Sequence, residues 1–329
     1  KKAVRSQYQC EHNWLGKEAF ILPEKTNIKI GHLPITDHLI LGVTMDKLQK
    51  GHETFEHCSL EAKPYRGWNP LADDLKAGLL DAACILAPLA MELYHSGAKM
   101  KLILQTHKGG STLIASKKAN IEKIEDFVGK HILIPHYLSV HHLLFDWFMR
   151  QQGFEVGAGK DLIFDVVAPS EIPEILEYDE KGSVGGFIVA EPFGRQVVKA
   201  GLGVELAMSK DIWLDHPCCV LVVKDEFIQD HPEAVQELTN SLVSSGHFIK
   251  NNPDQASQIG AGFLNQDVDV VHSVLADPKG RVRMDQLFPV MEDFEHIQEY
   301  MTHTINAMSA KVDLEKFIYT SFAVKAGVD

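Results

Sequence analysis

The sequence contains no apolar run near the roughly 18 residues that a membrane-spanning helix requires. Positive charge is also scarce, because 32 lysines and arginines face 45 aspartates and glutamates, a net charge of −13. A chain this acidic is not expected to bind nucleic acid through its overall field, and any anion must be held by local donors. Five cysteines in 329 residues, an odd number, exclude a disulfide scaffold.

The short motifs that mark common enzyme classes are absent as well. Residues 107–112 contain paired glycines, but not the Gly-Lys-Ser/Thr order of a phosphate-binding P-loop. The sequence has no Gly-x-Ser-x-Gly, His-Glu-x-x-His or Cys-x-x-Cys motif, and the glycines at 182–186 form no dinucleotide fingerprint. We therefore predict no catalytic residue, no enzymatic activity and no cofactor.

Short apolar runs alternate with helical periods from residue 28 onward, which predicts an α/β fold of one large domain or two. Most runs are continuous, as expected for strands of a parallel sheet covered on both faces. From Pro232 onward helical periods dominate, with Pro232 near the start of a long helix and Asp313 as the N-cap of the last one. The predicted strands are 28–30, 58–61, 82–86, 101–104, 112–115, 131–134, 163–167, 186–189 and 219–223.

Loops at two predicted strand ends could admit a ligand. In residues 31–38, Thr36 or Asp37 is expected to cap the following helix, whose free N–H groups can bind an anion. A plain turn is the alternative interpretation of this segment. Residues 87–91, Ala-Pro-Leu-Ala-Met, bring small side chains and accessible backbone to a strand end.

Two further loops carry polar donors. Residues 107–112 combine backbone N–H groups at paired glycines with the hydroxyl groups of a serine and a threonine. In residues 135–142, Ser139 is expected to cap a helix and His141 to lie in its first turn. His142 is adjacent and points about 100° away on a helix, so at most one of the two should face a shared site.

The cysteines are expected to be free thiols. Cys84 and Cys219 lie in apolar runs and are predicted to be buried. Cys218 and Cys219 are adjacent in what we interpret as a strand, so their side chains should point to opposite faces and not share a metal ion. A bridge between Cys10 and Cys58 is the alternative if the protein is exported, since disulfides form in oxidising compartments.

Several segments occur together in one known family. Residues 31–38, 75–91, 107–112, 190–194 and 216–221 resemble, in order and spacing, the solute-binding proteins of nitrate/sulfonate/taurine/bicarbonate ABC transporters. The resemblance extends over about residues 28–256. It implies a periplasmic-binding-protein type II fold, in which two α/β lobes joined by two crossing strands hold a ligand between them.

The resemblance also implies the domain organisation. Residues 1–26 would form an N-terminal arm. Residues 27–112 plus 218–329 would form lobe one, and residues 113–217 lobe two. The helical C-terminal region would then belong mainly to lobe one, and closure of the lobes around a ligand would be a hinge motion.

Particular contact residues follow from the resemblance. His141 occupies the position of the histidine that contacts the anion in nitrate-binding members, Trp68 matches an aromatic or polar contact, and Glu191 belongs to a Glu-Pro that faces the cleft. We predict no metal ligand and a small anion or zwitterion held mainly by neutral donors, because these loops contain few lysines or arginines. The predicted ligand-binding residues are His32, Thr36, Asp37, Trp68, Pro88, Leu89, Gly110, Ser111, Ser139, His141 and Glu191.

The 17 histidines keep a second ligand class open. His32, His38, His107 and His136 all fall on loops that we predict to line the cleft. Imidazoles in this number favour an oxyanion whose affinity depends on pH, or alternatively a metal or metal complex.

The resemblance implies a binding protein without catalysis. We expect a monomer in the periplasm or on the extracellular face of the cytoplasmic membrane, after removal of a signal peptide that is absent from the given chain. It would deliver a small-molecule solute to an ABC transporter permease, without contacting nucleic acid or inserting into the membrane. The alternatives are a thiamin-pyrimidine-synthase-like enzyme, whose cysteine-rich motif is not reproduced at Cys218-Cys219, and the ligand-sensing domain of a regulator.

Overall fold

The computed structural model describes residues 25–156 and 160–328. Most of the predicted N-terminal arm, and Cys10 with it, lies outside these residues. The strands are β1 (Thr26–His32), β2 (Cys58–Pro64), β3 (Ala82–Leu86), β4 (Met100–Gln105), β5 (Lys108–Gly109), β6 (Ser111–Ser116), β7 (His131–Ile134), β8 (Ile163–Val166), β9 (Val184–Ala190), β10 (Gly203–Met208), β11 (Cys219–Lys224) and β12 (Val282–Arg283). All nine predicted strands are confirmed.

These strands form two five-stranded sheets. The first has the order β2-β1-β3-β11-β4 and the second the order β10-β6-β9-β7-β8. The prediction of parallel sheets is correct only in part. β1 pairs in parallel with β2 and β3, and β7 with β8 and β9, but β11, β6 and β10 run antiparallel to their neighbours. The antiparallel members flank the two connections between the sheets, where the chain crosses and returns.

Sequence patterns missed three strands. β10 is buried only at its two ends, and its apolar residues Val204 and Leu206 are exposed, because it lies at the edge of the second sheet. Continuous apolar runs therefore do not reveal it. β5 and β12 contain two residues each and pair with one another, and Lys108 of β5 also forms an isolated bridge with Pro217.

Helices cover the sheets. The long C-terminal helix begins at Pro232 as predicted, and the side chain of Asp313 accepts a hydrogen bond from the N–H of Lys316, which confirms it as an N-cap. The helices are α1 (Leu39–Gln49), α2 (Trp68–Lys76), α3 (Ala87–His95), α4 (Val140–Gln151), α5 (Ile172–Tyr178), α6 (Phe193–Lys199), α7 (Ser209–Ile212), α8 (Asp225–Asp230), α9 (Pro232–Asn251), α10 (Pro253–Leu264), α11 (Val268–Leu275), α12 (Met291–His303), α13 (Leu314–Phe317) and α14 (Ser321–Lys325).

Two local predictions were wrong. Thr36 and Asp37 cap no helix, because they lie inside a short 3-10 turn that precedes α1. Leu71, Leu75 and Leu79 follow one another at intervals of four residues, which predicts a helix through Leu79, but α2 ends at Lys76 and Gly78 adopts a φ of 76°. Leu79 is consequently exposed, and Leu80 is the residue that enters the core.

Two connections join the sheets, and the predicted ligand-binding residues lie next to them. Residues 106–110 lead from β4 in the first sheet to β6 in the second, and residues 209–218 lead back from β10 to β11. Helices α1 and α9 pack together on the first sheet, where Leu39, Leu238 and Leu242 share a buried core. Within the described residues, no helix combines the length and apolarity needed to cross a membrane.

Candidate functional site

All of the predicted ligand-binding residues are buried in the structure. They lie at the ends of strands from both sheets, in the loops there or in the first turns of the helices that follow, next to the two connections. They do not all face one point, and several are engaged by neighbouring protein groups. The sheets are in contact here, since the N–H of Thr36 beyond β1 donates a 2.8 Å hydrogen bond to the carbonyl of Glu191 beyond β9.

Ser111 and His141 form the centre of the site. The paired glycines before Ser111, Gly109 and Gly110, have φ values of 67° and 87°, a region that L side chains rarely adopt, and this turn directs Ser111 inward. The Oγ of Ser139 accepts the N–H of His142 at 3.1 Å, which confirms the predicted cap and places His141 in the first turn of α4. Ser111 Oγ and His141 Nε2 are then 2.9 Å apart and buried.

Asp37 and His107 form a buried pair beside this centre. Oδ2 of Asp37 lies 3.0 Å from Nε2 of His107, and both side chains are fully buried. Burial by itself would lower the pKa of His107. The attraction and hydrogen bond of the Asp37 carboxylate are together stronger, so the pKa of His107 rises to about 10. Burial also raises the pKa of Asp37, against the attraction of His107. The pair therefore keeps a proton between the two side chains near neutral pH.

The vicinal cysteines depart from the sequence prediction. Cys218 precedes β11 instead of lying within it, so the strand alternation does not separate the two side chains. Their thiols lie together with Asp37 and His107, and the donor atoms of all four residues are within 4.8 Å of one another. A hydrogen bond from Cys219, together with the imidazoles of His141 and His107, lowers the pKa of Cys218 well below its ordinary value despite burial. As predicted, Cys219 and Cys84 are buried free thiols.

Glu191 is held by a cation that sequence reasoning missed. Nη1 of Arg281 donates a 3.0 Å hydrogen bond to Oε1 of Glu191, and Arg281 is only 2% exposed. The N–H of Arg195 donates to the other carboxylate oxygen at 3.0 Å. Burial nevertheless raises the pKa of Glu191 to about 7. Arg281 also pairs with Glu205 and Asp277, so carboxylates surround its charge.

The strand-end loops contain few cations, as the sequence shows, but Arg281 reaches Glu191 from another part of the chain. Arg281 lies in the C-terminal region between α11 and β12, far from the strand-end loops in sequence, and nothing in its neighbourhood marks it as a partner of Glu191. A buried acidic residue in a Glu-Pro turn was the one available signal, since a buried carboxylate needs a partner. Both carboxylate oxygens of Glu191 already accept hydrogen bonds, so Glu191 stabilises the site more than it provides an oxygen for a ligand.

His32 and Trp68 pack against different aromatic rings. The ring of His32 stacks on Phe263 with centroids 4.7 Å apart, and burial lowers its pKa. Trp68 opens α2 and packs edge-on against His38 at 5.9 Å. Pro88 and Leu89 begin α3 beside Cys218, whose carbonyl accepts the N–H of Ala87 at 2.9 Å.

The alternative set of histidine metal ligands does not assemble. Of His32, His38, His107 and His136, only His107 belongs to the cluster with Asp37. His136 bonds to Asn69 through Nε2 at 3.0 Å, and its Nδ1 accepts the N–H of Leu138.

A group of buried polar atoms has no hydrogen-bond partner among the described residues. In native proteins such atoms are rare, and a cluster of them indicates that something else satisfies them. Those on the strand-end loops of the first sheet and its connections are Thr36 Oγ1, Asp37 Oδ1, His38 Nε2, Trp68 Nε1, His107 Nδ1 and His216 Nε2.

The two sheets, the paired connections and the enclosed polar site define the architecture of the periplasmic solute-binding proteins. The chain belongs to the NMT1-like family, whose sequence profile matches residues 22–261. The ligand-binding component of an ABC-type import system from Staphylococcus aureus, solved with zinc bound, is 26% identical and covers 93% of this chain and 100% of its own, with a TM-score of 0.81.

Further comparisons also find similarity to proteins of nitrate import. The periplasmic nitrate-binding protein NrtA from Synechocystis PCC 6803 shares the fold at 16% identity, with a TM-score of 0.81 over 92% of this chain and 88% of its own. The nitrate import ATP-binding protein NrtC of Synechocystis sp. is 28% identical over 68% of this chain, but only 35% of NrtC is covered. The chain thus spans little more than a third of the first curated relatives that it matches, at 35% and 40% of their lengths.

Proposed function

We propose that this chain is the solute-capture component of an ABC importer and encloses its solute where Ser111 meets His141. The single observation that carries this proposal is the set of buried polar atoms without protein partners on the strand-end loops of the first sheet and its connections, beside the buried Ser111–His141 pair of the second sheet. A small solute can satisfy such atoms, and α/β folds place ligands at strand ends. Membership of the NMT1-like family supports the same function.

The solute in this proposal is small and polar or anionic, of the nitrate, bicarbonate, sulfonate and taurine class. NrtA, named as a nitrate-binding protein, and a taurine-binding periplasmic protein of Escherichia coli are among the similar proteins. The donors that we assign to the solute are Ser111, His141, Thr36 and Trp68. We assign Ser139 and Glu191 a positioning role, because their side-chain oxygens are already engaged.

Two lobes are part of the proposal. Residues 27–112 with 218–329 would move against residues 113–217, about the connections at 106–110 and 209–218. The bond between Thr36 and Glu191 then belongs to the closed form. The chain would act as a monomer outside the cytoplasmic membrane and pass its solute to a permease. It would catalyse no reaction.

The test is titration calorimetry of the purified chain with nitrate, bicarbonate, taurine and an alkanesulfonate, each measured separately. We expect saturable binding of one solute per chain. Small-angle scattering with that solute should show a smaller radius of gyration than without it, as closure of two lobes requires. Absence of binding to all four compounds would contradict the proposed solute class. Binding without any decrease in the radius of gyration would contradict lobe closure.

A further inference from the structure

Four buried side chains of different chemistry meet at one point beside the proposed solute site. Asp37 follows β1, His107 precedes β5, and Cys218 and Cys219 stand at the start of β11. Their donor atoms lie within 4.8 Å of one another. Oδ2 of Asp37 is 3.0 Å from Nε2 of His107 and 3.9 Å from Sγ of Cys219. Three separate segments of the chain therefore contribute to this quartet.

The spacing fits a tetrahedral metal ion. With metal–nitrogen and metal–oxygen bonds of about 2.0 Å and metal–sulfur bonds of about 2.3 Å, neighbouring ligand atoms lie roughly 3.3–3.8 Å apart. The separations in the quartet bracket that range, so small side-chain shifts would complete the geometry. Two thiolates with one imidazole and one carboxylate select borderline or soft ions over Mg²⁺ and Ca²⁺, which prefer oxygen ligands alone.

A second observation points to a ligand here. Oδ1 of Asp37 and Nδ1 of His107 are buried and have no hydrogen-bond partner among the described residues. Each lies 3.3 Å from the position that a β-carbon on Gly110 would occupy. The missing side chain of Gly110 therefore leaves a narrow space, bounded also by Val282, beside two unsatisfied polar atoms. Buried polar atoms of this kind are normally satisfied by protein, water or an ion.

We propose that Asp37, His107, Cys218 and Cys219 bind one divalent transition-metal ion, of which Zn²⁺ fits the donor set best. The two thiols and the Asp37–His107 pair release their protons to solvent as the four side chains bind the ion, so binding lowers the pH of an unbuffered solution. The ring of His141 on the second-sheet side lies 3.9 Å from Sγ of Cys218, and closes over the ion. This inference goes beyond the proposed function, because it does not depend on which solute is transported.

The experiment uses the full chain, stripped with a chelator and then loaded with Zn²⁺ or Co²⁺. Elemental analysis should give one ion per chain, and the Co²⁺ form should show a thiolate-to-cobalt charge-transfer band. The variant Cys218→Ser/Cys219→Ser should lose the band and bind Zn²⁺ at least 100-fold more weakly in competition with a chromogenic chelator. The control Cys58→Ser/Cys84→Ser, which changes two other buried thiols, should keep both properties.

Three results would overturn the proposal: less than one ion per chain at saturation, a cobalt spectrum without the thiolate band, or unchanged affinity in the Cys218→Ser/Cys219→Ser variant. If that variant fails to fold, the single variants Asp37→Asn and His107→Gln give the same decision, since each replaces one strong metal ligand by a neutral, weakly coordinating amide. Titration of the metal-free protein with the four solutes separates the two proposals. Metal binding without solute binding would support the metal site and contradict the solute site. Solute binding without metal binding would support the solute site and contradict the metal site.

Discussion

The Oγ of Ser111 lies 2.9 Å from Nε2 of His141, so a hydroxyl at the start of β6 orients an imidazole at the start of α4. The pair is buried, and a hydrogen bond in such an environment is stronger than one in water. The same nitrogen lies 3.9 Å from the thiol of Cys218. A solute that enters here would meet an imidazole already aimed by its neighbours.

Replacement of His141 by alanine should weaken solute binding. If His141 donates a charge-assisted hydrogen bond, the loss is about 1.5–3 kcal/mol, or roughly 10–150-fold in affinity. Titration calorimetry of metal-free wild type and His141→Ala measures it. His303→Ala is the matched control, because His303 is exposed at the end of α12. Equal affinities for wild type and His141→Ala would remove His141 from the site.

Replacement of Arg281 by methionine should destabilise the protein strongly. It leaves the carboxylate of Glu191 buried without its main partner, which typically costs about 3–5 kcal/mol. Urea unfolding measures this loss, and Arg283→Met is the control. Arg283 pairs with Asp215 in a half-exposed position, where such pairs are worth about 0–1 kcal/mol.

A double variant tests the cause of that loss. Adding Glu191→Gln to Arg281→Met removes the unpaired charge, so part of the stability should return. If the double variant is as unstable as Arg281→Met alone, packing and not charge explains the effect.

Stability should fall as the solution is acidified below about pH 6.5, the ordinary pKa of histidine. Burial lowers the pKa of His32, His136 and His142 in the folded protein, so the unfolded chain takes up protons that the folded chain refuses. Each such group removes up to about 1.4 kcal/mol per pH unit until its own lowered pKa is reached. The raised pKa values of Glu191 and Asp37 act in the opposite direction, but they involve fewer groups.

Urea unfolding at about pH 7.5 and about pH 5.5 measures this dependence. His142→Gln should show a smaller difference between the two pH values than wild type, because one titrating group is gone. The exposed control His303→Gln should show the same difference as wild type. An equal pH dependence for wild type and His142→Gln would contradict the assignment.

Two glycine-to-alanine substitutions should act in opposite directions. A β-carbon on Gly246 in α9 would lie 1.8 Å from the carbonyl oxygen of Met284, so Gly246→Ala should destabilise by about 1–3 kcal/mol or more. No described atom lies within 4 Å of a β-carbon on Gly262 in α10, and Gly262→Ala should stabilise by up to about 1 kcal/mol. Thermal unfolding of both variants checks the signs, and a stable Gly246→Ala would show that the helix can move away.

Local patterns predicted the elements better than the relations between them. The strand 82–86 and the caps Ser139 and Asp313 follow from apolar runs and hydrogen-bonding side chains close in sequence. The position of Cys218 did not follow, because a one-residue difference in where β11 begins decides whether adjacent side chains diverge. The domain limits at 112 and 218 stay predictions.

Periodicity and turn chemistry within short segments are enough to predict the α/β class, the strand positions and the loops that carry the candidate site. Which distant groups pair depends on the tertiary structure. Arg281 reaches Glu191 across 90 residues, and Asp37 reaches His107 and Cys219 across the two connections. Such contacts arise because burying a charge or a donor requires a partner from whichever segment the fold brings near, and no local pattern records that choice.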